Sequence, residues 1–118
     1  MTIKQVMETL DAELLTPEAD LTREVHAACG SDMMSDVLAY VKNQAILLTG
    51  LVNAQVIRTA QMMDMSCIVF VRDKQPSADM IALAEENGMV LLTTALRMYE
   101  SCGRLYASGL RGNGELPE

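Results

Sequence analysis

The sequence contains no tryptophan, one phenylalanine and one histidine, and each scarcity closes off a mechanism. With a single imidazole, His26, there is no His-rich metal shell, and a Ser–His or Cys–His pair would have to use a residue with no nucleophile signature beside it. Three cysteines, Cys29, Cys67 and Cys102, are an odd number without C-x-x-C spacing. They fit buried thiols of a reducing cytosol better than a disulfide frame or a zinc site. The Lys and Arg residues are scattered singly and the net charge is −7, so phosphate backbones and anionic membranes are repelled. No apolar run approaches the roughly 18 residues that span a bilayer. The start, "MTIKQVMETLD", lacks the basic and apolar regions of a signal peptide, which points to the cytoplasm. Phosphate-loop, dinucleotide-fingerprint and nucleophile-elbow motifs are missing too.

What remains is a chain of 118 residues, half of them apolar, enough for one domain with a real core. Leu, Ile, Val, Ala and ten Met must build it. Met fills irregular gaps, and it also suits adaptable contact surfaces. Short apolar runs alternate with helical ones. Thr2 can cap a helix reaching Leu10, with Ile3, Val6, Met7 and Leu10 on one side. "AELLT" is a short candidate strand and "EADLTR" a polar loop. "VHAAC" leads into a helix whose Met34, Val37, Leu38 and Val41 recur at i, i+3, i+4, i+7. "AILLTG", "CIVFV" and "MVLLTT" are uninterrupted apolar strands. Between them lie "NAQVIRTAQMMD", capped by Asn53, and "SADMIALAEENG", which Pro76 and Ser77 open and Gly88 closes. A last helix, "ALRMYESCGRLYASGL", roughly aligns Leu96, Tyr99, Gly103 and Tyr106. Strands apolar on both faces, each followed by a helix, imply a three-layer α/β/α sandwich with a mostly parallel sheet of about five strands. Residues 1–110 form the single domain and 111–118 a polar tail.

In such a sheet ligands gather beyond the carboxyl ends of the strands. Those ends read Cys29-Gly30-Ser31-Asp32, Thr49-Gly50-Leu51-Val52-Asn53, Val71-Arg72-Asp73 and Thr93-Thr94. Small residues, hydroxyls, helix N-termini and one guanidinium could together hold a small anion or a phosphate. The candidate ligand residues are therefore Gly30, Ser31, Asp32, Thr49, Gly50, Asn53, Arg72 and Thr94. Against this, Ser31, Asn53 and Thr94 could simply cap the helices they precede. Asp32 and Asp36, four apart, could form a metal or acid–base pair. Asp32 in a first helical turn is equally explained by the helix dipole, with Asp36 solvated. No third acid or histidine lies near in sequence to complete a metal shell, so no metal and no catalytic residue are expected.

"LTREVHAACGSDMMSDVLAYV", "ILLTGLVNAQVIRTAQMMD", "IVFVRDKQPSADMIALAEENGMVLLTT" and "MYESCGRLYASGL", taken in order, resemble the DRTGG domain family, itself similar to the N-terminal domain of HPr kinase/phosphorylase. The likeness covers about residues 2 to 110. Of the motif D-R-x-V-T-G-G, the segment Thr22-Arg23-Glu24-Val25-His26-Ala27-Ala28 keeps Arg23 and Val25 and loses both glycines; "SDMMSDVLA" and "LLTGL" match better. The resemblance implies a regulatory or assembly module, found alone or fused to nucleotide-sensing CBS domains and metabolic enzymes, and prone to dimerise. In the kinase the phosphate loop lies in a separate C-terminal domain that this chain does not reach, so no kinase activity is expected. The expected function is a non-catalytic, cofactor-free, homodimeric cytoplasmic module. It would bind a small anionic or nucleotide ligand, or a partner metabolic or redox enzyme, and neither nucleic acid nor membrane. A small metal-assisted enzyme using Asp32 and Asp36, and a structural subunit of a larger complex, are the alternatives.

Overall fold

The computed structural model describes residues 1–40 and 45–112. Helix α1 spans Ile3–Leu10 and opens on a reciprocal cap. The Gln5 N–H donates to Thr2 Oγ1 at 3.2 Å, and the Thr2 N–H donates to Gln5 Oε1 at 2.8 Å. Strand β1 is only Glu13–Leu14, and β2 is Ala27–Gly30. Then α2 (Met34–Tyr40), β3 (Ala45–Thr49), α3 (Ala54–Met62), β4 (Cys67–Phe70), α4 (Ala78–Glu86), β5 (Val90–Thr93) and α5 (Met98–Ala107) alternate along the chain. Asn53 caps α3 and Ser77 caps α4, each accepting from a backbone N–H three residues on. Gly88, at φ +67°, turns the chain out of α4 in a conformation that costs glycine least.

The sheet order is β1-β5-β4-β3-β2. Strands β2 to β5 are parallel, with Ile46 beside Cys67 and Cys67 beside Val90, while β1 lies antiparallel on the β5 edge. Consecutive parallel strands are neighbours, so α2, α3 and α4 fall on one face. There Met34, Val56, Ile57 and Met80 cover Leu47, Ile68, Phe70 and Leu91. On the other face Ile3, Val6 and Leu10 of α1 and Leu105 of α5 cover Ile46, Leu48, Val69 and Leu92. The result is the three-layer α/β/α sandwich. Phe70, the one phenylalanine, is wholly buried, a contribution of about 1.5–3 kcal/mol.

Two details depart from the helical reading of residues 32–41. The helix begins at Met34, so Asp32 precedes it instead of occupying its first turn. Leu38 is 43% exposed, because α2 rides over the edge strand β2, where the sheet ends before the apolar stripe does. Val41 lies outside the described residues. Arg111 is tied to the fold: its carbonyl accepts from Ala28 N–H at 3.0 Å and its guanidinium sits 3.8 Å above the Tyr106 ring.

Candidate functional site

Helix α2 leaves the carboxyl end of β2 toward one face of the sheet, and α5 enters from β5 on the other. Ligand sites of parallel sheets lie outside the carboxyl ends of the strands, and α5 reaches back over that rim toward β2 and β3. The rim there holds a cleft of about 470 Å³ lined by Gly30, Ser31, Asp32, Val71, Arg72, Arg97, Met98 and Tyr99.

Its floor is built by hydrogen bonds that continue the sheet. Ser31 N–H donates to the Leu48 carbonyl at 3.0 Å, and Val71 N–H to the Thr49 carbonyl at 3.0 Å. Asp32 Oδ1 accepts from Thr49 Oγ1 at 3.0 Å and from Gly50 N–H at 2.7 Å. The carboxylate thus fastens the β2 and β3 ends together. Ser31 Oγ bonds the Met33 N–H and carbonyl, closing a tight turn. On the far wall Arg72 and Asp73 both have positive φ, 59° and 56°. Two successive left-handed residues without glycine are costly, about 1–2 kcal/mol each. They are held by Arg72 N–H on the Leu96 carbonyl at 2.9 Å and Asp73 N–H on the Thr94 carbonyl at 2.8 Å. This turn lays the Arg72 guanidinium against Gly50, where an added Cβ would lie 2.5 Å from Nη2. Gly30 does the same for α5: a Cβ there would lie 2.7 Å from Cys102 Sγ.

Four of the residues singled out in the sequence, Gly30, Ser31, Asp32 and Arg72, line this cleft. Thr49 and Gly50 stand directly behind Asp32. Asn53 is elsewhere, capping α3 at a groove between α3 and α4. Thr94 is buried, with its hydroxyl donating to the Leu10 carbonyl at 2.7 Å, so it ties α1 to the rim. Asp36 is exposed on α2 and outside the cleft. His26 precedes β2 at the opposite rim, in a depression with Met1 and Gly109.

Sequence reasoning missed Arg97 and Tyr99. Arg97 occupies the N-cap position of α5 and makes no side-chain capping bond, so the first-turn N–H groups keep their capacity. A basic residue where Ser, Thr, Asp or Asn usually stands was the available signal. Tyr99 is 90% exposed, and Tyr99, Gly103 and Tyr106 form the outer face of α5, away from the core.

The thiols are poorly suited to attack. Burial raises the pKa of Cys29, with help from Cys102 and Asp36, and burial alone raises that of Cys102. Cys67 is pushed up to about 12 by complete burial. A thiol held protonated is a weak nucleophile. Among the described residues no three of His, Cys, Asp and Glu converge where a metal could sit. No described helix is long and apolar enough to cross a membrane. The segment carrying Arg23 and Val25 lies at the opposite rim from the cleft. Val25 is buried there, and Arg23 donates to the Gly88 carbonyl at 2.6 Å.

Among curated proteins none matches the chain. Among solved structures it is similar to the CBS and DRTGG domains of the regulatory region of Clostridium perfringens pyrophosphatase, determined in complex with the activator diadenosine tetraphosphate. The TM-score is 0.72 at 18% identity, and the likeness covers 88% of this chain and 45% of that one. The chain therefore spans less than half of that protein's length, and the likeness is one of fold. The family model of the DRTGG domain matches residues 5–108, nearly the whole chain, and on that match the chain belongs to the DRTGG domain family.

Proposed function

We propose that this chain is a non-catalytic regulatory module that holds a small phosphate-bearing anion between Arg72 and Arg97. Occupancy of the cleft would be read by a partner metabolic or redox enzyme. The observation that carries the reading is the pair of guanidiniums at one rim of a protein with net charge −7. Among the described residues neither has an ion-pair or hydrogen-bond partner for its side chain. Guanidinium forks match phosphate oxygens, and such charge-assisted bonds contribute about 1.5–3 kcal/mol each. The exposed backbone turn that aims Arg72 is strained, as turns at binding sites often are. The relative's regulatory region, bound to a phosphate-rich activator, supports a ligand-binding role for the fold.

A metal-assisted enzyme would need Asp32 and Asp36 side by side. Asp32 instead spends one oxygen on Thr49 and Gly50, and Asp36 lies outside the cleft. In the cytoplasm the module would act as a homodimer, with the C-terminal part of the outer face of α5, around Gly103 and Tyr106, as the surface two copies share, which leaves Tyr99 at the cleft free. Sedimentation of the wild type and of Tyr106→Glu checks that part, and a monomeric wild type contradicts it. Calorimetric titration with pyrophosphate checks the ligand. Binding is expected in the wild type and a loss of at least tenfold in Arg72→Ala/Arg97→Ala; an unaffected double variant, or no binding at all, refutes the assignment.

A further inference from the structure

We infer, building on the anion-site reading above, that the ligand of this cleft is a nucleoside phosphate, its base laid on Tyr99 and its phosphate held by Arg72 and Arg97. The cleft volume of about 470 Å³ is the size of sites that take whole organic molecules and is generous for a bare anion. Tyr99 forms part of the wall yet is 90% exposed, and beside it Met98 is half-buried. An aromatic ring left open next to two cations is a stacking platform for a base, whatever its identity, because every base presents a π-face.

The third element is Asp32. Its Oδ1 is occupied by Thr49 and Gly50, and its other carboxylate oxygen has no protein donor among the described residues. A carboxylate in the wall repels a simple anion. It favours a ligand that carries hydroxyl or amine donors as well as negative charge, and a ribose or a base edge supplies them. A wall with two cations, one carboxylate acceptor and one open ring matches the three parts of a nucleotide.

The test compares ADP, pyrophosphate and adenosine by isothermal titration calorimetry on the whole chain. ADP is expected to bind at least tenfold more tightly than pyrophosphate. Tyr99→Ala is expected to erase that difference while leaving pyrophosphate affinity unchanged, and Tyr99→Phe to preserve it. The ring is exposed, so these variants are expected to fold, and their thermal midpoints check this. Equal affinity for ADP and pyrophosphate, or a Tyr99→Ala variant that keeps the ADP preference, overturns the nucleoside assignment and leaves the anion site standing. Failure of both phosphate compounds to bind overturns the anion site as well.

Discussion

Replacing Gly50 by alanine separates what holds the fold from what fills the cleft. The added methyl would lie 2.5 Å from Arg72 Nη2, and 3.5 Å from the guanidinium carbon. Only the first distance is prohibitive, and it involves the free end of an exposed side chain. The guanidinium must swing by about 1 Å to reach ordinary van der Waals contact, a movement that costs the fold little. Gly50 does not have a positive φ, so alanine adds no backbone strain. Loss of unfolded-chain entropy stabilises by about 0.4–1 kcal/mol. Folding stability is therefore expected to stay level or rise by up to about 1 kcal/mol. Ligand binding should move the other way. Displacing one of two forks forfeits a charge-assisted bond of about 1.5–3 kcal/mol, which is a tenfold or larger loss of pyrophosphate affinity. Urea unfolding and calorimetric titration on the same preparation give both numbers. Unchanged affinity with unchanged stability would show that the position of Arg72 over Gly50 is irrelevant to the cleft. A fall in stability beyond about 1.5 kcal/mol would show that Gly50 serves the backbone instead.

Three further outcomes concern the frame around the site. Ser101 Oγ is buried on α5 and has no hydrogen-bond partner among the described residues, so Ser101→Ala should stabilise by about 1 kcal/mol in urea unfolding; a loss of stability would reveal a hidden partner. Asp73, at φ 56°, should gain about 0.5–1 kcal/mol as Gly and lose about 2 kcal/mol as Val, measured by thermal melts. Cys67 titrates near 9 when unfolded and is raised to about 12 when folded. Its raised value stabilises fully below pH 9 and is lost as pH climbs toward 12, at about 1.4 kcal/mol per pH unit. Cys67→Ala, less stable at neutral pH, should show a shallower alkaline decline.

The helix starts were legible because their chemistry is local. Thr2, Asn53 and Ser77 each bond an N–H three residues away, and Gly88 turns within its own dihedral, so no distant residue is needed to recognise them. Strands β3, β4 and β5 were legible because they are buried on both faces, whereas the edge strand β2 is half open and carries no such run. What escaped depends on neighbours far along the chain. Asp32 reads as a first-turn acid until the β3 end is placed 17 and 18 residues away, where Thr49 and Gly50 capture its carboxylate. Thr94 reads as a rim hydroxyl until α1 is laid across the sheet, 84 residues away in sequence, and the Leu10 carbonyl accepts its hydrogen bond. Leu96, Tyr99, Gly103 and Tyr106 align as periodicity says, yet the three on α5 are exposed, and the core takes Ser101 and Leu105 instead. Periodicity identifies a stripe without saying whether anything covers it.

The position of the cleft follows from winding more than from any motif. Three successive crossovers put α2, α3 and α4 on one face, so their connections all leave the strand ends in the same direction. The cleft lies where α5 leaves β5 for the other face and runs back toward β2 and β3. Gly30 is what allows that return, since a side chain there would strike Cys102 and Met98. The same path carries Arg97 and Tyr99 from the β5 end to the β2 end, where Arg72, turned by its left-handed backbone, meets them. A basic pair on an acidic chain is thus a product of topology: residues 25 apart line one cleft because α5 packs on the opposite face from α2, α3 and α4.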